Sequence, residues 1–96
     1  MENRTETTQR AIETMAAIVR KAVLEVAQKR AALQAATKHA FESDEAYDAY
    51  SEAFDDYREA LIRFDSESTA MLQIVEALGD GWTEYNHALR DGVEVE

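Results

Sequence analysis

The first 78 residues contain neither glycine nor proline; the first glycine is Gly79, and the chain has no proline at all. Those two residues break helices most strongly, costing about 1 and about 3 kcal/mol per position relative to alanine. A run of that length without either predicts helix almost throughout. Seventeen alanines reinforce the expectation, because alanine gives up no side-chain entropy on entering a helix. At 96 residues the chain is one domain. It has no cysteine, which excludes a disulfide scaffold and thiolate metal sites. No apolar run approaches the roughly 18 residues of a membrane span, and Met1-Glu2-Asn3-Arg4-Thr5-Glu6 lacks the layout of a signal peptide. A soluble, cytoplasmic, all-α protein is expected.

Helix boundaries follow from capping chemistry. The threonines between Thr5 and Thr8 can cap a first helix, and Glu6 suits its positive end. Apolar residues from Ile12 to Phe41 then recur at spacings of three and four. Ser43-Asp44-Glu45 is a second start, with a hydroxyl cap and carboxylates in the first turn. From there Tyr47, Tyr50, Phe54, Tyr57, Leu61, Phe64, Ser68, Met71, Val75 and Leu78 form an unbroken a/d heptad row. Rings on such a seam are expected in the core. Asp65-Ser66-Glu67-Ser68-Thr69 is a weak point where a kink would be least costly. Gly79 ends the second helix, Asp80 caps a short third one, and Gly92 ends that. The expected helices are about 6–41, 44–78 and 82–90, with a frayed tail over 91–96.

The heptad register runs from the first helix straight into the second, so a single helix of about 105 Å has to be weighed. Charge argues against it. Residues 1–41 carry seven bases and four acids, a net +3; residues 42–96 carry three bases and 16 acids, a net −13. A parallel pair of long helices would lay the acidic half beside its own copy. An antiparallel, coiled-coil-like hairpin turning near residues 42–44 sets the basic helix against the acidic one. It pairs residue i with about 85 minus i, which places Arg20 near Asp65. Beyond Thr69 the helix is apolar nearly all round, so the C-terminal segment or a second subunit must cover it. A homodimer forming a four-helix bundle, with Leu72 and Ile74 in the interface, is expected; folding back of the third helix is the monomeric alternative.

Chemistry-bearing motifs are sparse. Glu84-x-x-His87 and His39-x-x-Glu42 have the spacing of helical metal ligands, but such a site needs further Glu side chains in one bundle interior. Glu13 and Glu25 lie off the seam and Glu84 sits in a short terminal helix, so no metal is expected. No Gly-rich phosphate loop and no serine with a spaced His and acid occur, so neither a cofactor nor catalysis is expected. The informative feature is acidic. Asp44, Asp48, Glu52, Asp55 and Glu59 step by four, four, three and four, on one helix face with Asp56 beside it. A carboxylate row can occupy a basic groove where phosphates normally sit; the plain alternative is a solvated face. Trp82 and Tyr85 are the residue types suited to an apolar anchor. In size, acidity and helical build the chain resembles small phage-encoded inhibitors of bacterial defence, the anti-CRISPR and antirestriction DNA mimics. That resemblance implies a non-enzymatic inhibitor whose partner is a protein with a basic surface. Direct nucleic-acid or membrane binding is not expected. The alternative is a self-associating structural, assembly or chaperone protein.

Overall fold

The computed structural model describes residues 4–94, with the backbone alone described over 92–94. Its three helices are α1 (Glu6–Thr37), α2 (Asp44–Leu78) and α3 (Trp82–Glu94). Among the described residues there is no strand. α1 and α2 form an antiparallel hairpin, and the molecule measures 60 × 21 × 15 Å.

The caps explain the boundaries. Thr5 accepts a bond from the backbone N–H of Thr8 at 3.1 Å, and Ser43 accepts one from Ala46 at 3.0 Å. Each supplies a partner for one of the orphan donors of a helix start. Gly79, at φ +67°, takes the left-handed position and donates to the Val75 carbonyl at 2.9 Å. α2 begins and ends where the sequence places it and passes through Ser66–Thr69 without interruption. The other two helices differ. α1 stops at Thr37 rather than 41, because the chain tightens into i→i+3 bonds from His39 to Ala36, Ala40 to Thr37 and Glu42 to His39. α3 continues through Gly92 to Glu94, and Asp91, assigned to the frayed tail, is held by Arg20 at 2.8 Å.

α3 folds back along α1, parallel to it. Arg4 near the start of α1 bonds Asp80 and Glu84 at 2.8 and 2.9 Å, and Arg20 reaches Asp91 two turns further along. Arg20 therefore faces α3 and not Asp65. Gly81, at φ +98°, lets the chain turn directly against Ile12. Asp80 does not cap α3: one of its oxygens accepts from its neighbour Gly81 at 2.7 Å and both are engaged by Arg4.

The core lies where three helices meet. Ile12, Met15, Ala16, Val19, Val23, Val75, Tyr85 and Ala88 form it, with Phe64, Met71, Leu72 and Leu89 packed against it. Toward the α1–α2 turn only two helices remain, and the inward row of α2 there is rotated one residue from the a positions of the heptad row. Ala46, Ala53 and Ala60 face inward or nearly so, with Ala60 fully buried; Tyr47, Phe54 and Leu61 are exposed. Alanine toward an alanine-rich helix allows close backbone approach, and the rings beside it are displaced outward. Tyr50, Tyr57 and Phe64 stay half-buried, and from Ser68 to Val75 the a register is restored. Within the turn, Ala40 is buried while Phe41 is 90% exposed.

Candidate acidic interface

The acidic row keeps its geometry. Asp44, Asp48, Glu52, Asp55, Asp56 and Glu59 are all exposed and lie in one continuous stretch of α2. On the helical wheel the row points roughly opposite to Ala46, Ala53 and Ala60, so it looks away from α1. From Asp44 to Glu59 the rise is about 22 Å. The five carboxylates of the row over that length give roughly one charge per 5–6 Å, of the same order as the roughly 3.4 Å per phosphate along a DNA strand. These groups are exposed to solvent along α2, and the arrangement suits attraction of a cationic surface.

The two aromatic anchors are not brought to the row. Trp82 and Tyr85 belong to α3, at the opposite end, and Glu59 is about 28 Å along α2 from its C-terminus. That separation exceeds the roughly 8 Å screening length at physiological salt. Tyr85 is 9% exposed in the core, and its hydroxyl donates to the Ser68 carbonyl at 3.4 Å. It is a packing residue joining α3 to α2. Trp82 remains 45% exposed. Leu72 is half-buried against its own chain's core. Ile74 is exposed at the mouth of a shallow groove with Met15, Ile18 and Met71.

At the other end, rings expected in the core form an exposed surface instead. Phe41, Tyr47, Tyr50 and Phe54 form a chain of tilted rings with centroids 6.2, 5.9 and 6.3 Å apart. Tyr47 is 49% and Phe54 41% exposed. The signal that could have found it is the alanine row at 46, 53 and 60, which competes with the aromatic row for the inward direction. Ile62, 65% exposed, lies further along α2.

The polar pairs elsewhere are structural. Arg4 holds the Asp80 and Glu84 carboxyls below their usual range through direct hydrogen bonds, and its own pKa is raised in return. Arg63 bonds Glu25 at 2.6 Å across the hairpin, which raises the Arg63 pKa in the same way. His39 and Glu42 contact each other at 2.6 Å in the turn. Glu84 is taken by Arg4 and so is not set aside for His87. Among the described residues no group of three His, Asp or Glu is placed to hold a metal ion, and no helix is long and apolar enough to cross a membrane. Comparison with protein families, curated proteins and solved structures found no match.

Proposed function

We propose that the protein is a non-enzymatic interaction module that occupies a basic, nucleic-acid-binding surface of another protein through the outer face of α2, in the manner of a DNA mimic. The observation that carries this reading is the exposed row Asp44, Asp48, Glu52, Asp55 and Glu59, turned away from the helix that packs against α2. Charges at the α1–α2 seam are neutralised internally, as Glu25 of α1 is by Arg63 of α2. The row stands instead where a partner's cations can reach it. The charge spacing is of the same order as that of a phosphate strand, and electrostatic complementarity of this kind speeds association and selects the partner.

The test is competition. Basic nucleic-acid-binding proteins captured on the immobilised chain should be released by duplex DNA, and capture should weaken steeply from low to physiological salt. Reversal of Asp48, Glu52 and Asp55 to lysine should abolish capture while helicity and melting stay nearly unchanged. Binding that survives the triple reversal refutes the proposal.

A second reading, self-association into a four-helix bundle, is favoured by the exposed Ile74 beside Met71 and Ile18. Because Leu72 already packs inside its own chain, Ile74→Asp is the cleaner probe. Sedimentation should give twice 10.8 kDa for the parent chain and half that for the variant; a monomeric parent removes this reading.

A further inference from the structure

The aromatic edge at the hairpin tip lies beside the acidic row. Tyr47 is three residues from Asp44 and one from Asp48; Phe54 is next to Asp55. Phe41, in the turn, stacks toward Tyr47 at 6.2 Å. Residues three apart share one patch of surface, which sets Tyr47 beside Asp44, whereas Asp48 and Asp55 stand about 100° round the helix from the rings that precede them. Three exposed rings therefore sit at the margin of a field of carboxylates, about 28 Å or more from the exposed tryptophan at the other end.

Two kinds of occupant would cover such an edge. A second copy would bring the same stretch, from Glu42 to Glu67, against itself. That stretch holds ten acids and two arginines, a net −8, and like charges within the screening length repel. A cationic occupant meets attraction from the carboxylates and from the ring faces together. Among cations, a guanidinium suits this better than an ammonium. It is flat, is more weakly hydrated, stacks on rings, and can still donate sideways to a carboxylate.

We propose that Phe41, Tyr47 and Phe54 are the anchor of the acidic interface, and that they take arginine side chains from a basic protein segment. Resting on the acidic face as the contact surface, this names the partner's chemistry: arginines spaced to lie over the rings while their neighbours pair with Asp44, Asp48 and Asp55.

The experiment titrates the full chain with an arginine nonamer and a lysine nonamer of equal charge at physiological salt. The arginine peptide should bind more tightly, by at most the roughly two- to fivefold per ring that an exposed cation–π contact is worth. In Phe41→Ala and in the Phe41→Ala/Tyr47→Ala double variant the preference should fall toward one, with helicity unchanged. Phe41 is 90% exposed, so its single variant tests the proposal even where the double variant unfolds. Ring-proton shifts of Tyr47 and Phe54 in the parent chain should move with the arginine peptide. Equal affinity for both peptides, or an arginine preference that survives ring removal, overturns the anchor and leaves the acidic face standing. Failure of both peptides to bind, or binding that survives the Asp48/Glu52/Asp55 reversal, overturns both.

Discussion

Two glycines flank Asp80, and the structure assigns them different costs. Gly79 sits at φ +67° with nothing within 4 Å of the position a Cβ would take. Gly81 sits at φ +98°, and a Cβ there would lie 3.2 Å from Ile12 Cγ1 and 3.5 Å from its Cδ1 and Cγ2. Ile12 is fully buried in the three-helix core, so it has little room to yield. For Gly79→Ala the left-handed backbone costs about 1–2 kcal/mol, offset by about 0.4–1 kcal/mol from a less flexible unfolded chain. The net loss is roughly 0.5–1 kcal/mol. For Gly81→Ala the strain is of order 1–3 kcal/mol, the same offset applies, and crowding of Ile12 adds about 1–3 kcal/mol. The net loss is roughly 2–4 kcal/mol. At about 4–8 °C per kcal/mol for a domain of this size, Gly81→Ala should melt about 8–30 °C below the parent and well below Gly79→Ala. Urea and thermal unfolding followed by circular dichroism, with Trp82 fluorescence as a second probe, measure both. Equal destabilisation by the two substitutions would refute the packing of the α2–α3 turn on Ile12, and with it the fold-back of α3.

Tyr85→Ala should cost about 3 kcal/mol or more, the penalty of emptying a buried aromatic site, whereas Trp82→Ala should cost far less; matching urea midpoints for the two would contradict the burial of Tyr85. The low pKa values of Asp80 and Glu84 carry a sign: a carboxylate whose folded pKa is depressed contributes stability above its unfolded pKa and loses it as pH falls through the folded value. Acid titration below about pH 4 should therefore loosen the α3 start, read by Trp82 fluorescence, and Arg4→Met should remove that transition; an identical acid profile in the variant would show that Arg4 is not its source.

Local chemistry was enough to locate α2 in the chain. Ser43 and Gly79 act through backbone bonds within a few residues, so their effect is visible in sequence. The acidic row was legible for the same reason, since spacings of three and four put residues on one helix face whatever packs behind it. The charge split favoured the hairpin that forms, but the ion pair across it runs the other way, from Glu25 on α1 to Arg63 on α2, and Arg4 and Arg20 of the basic half pair with Asp80, Glu84 and Asp91 instead. The inward direction of α2 was not legible. Alanines at 46, 53 and 60 and rings at 47 and 54 occupy adjacent rows, and hydrophobicity ranks the rings first. The distance between two backbones, a tertiary quantity, decides for alanine and turns the rings to solvent. Tyr85 and Trp82 likewise look equivalent in sequence, three residues apart on one short helix. Only the turn of Gly81 against Ile12 and the docking of α3 along α1 bury one and leave the other exposed, because burial depends on which surfaces meet and no local pattern encodes that.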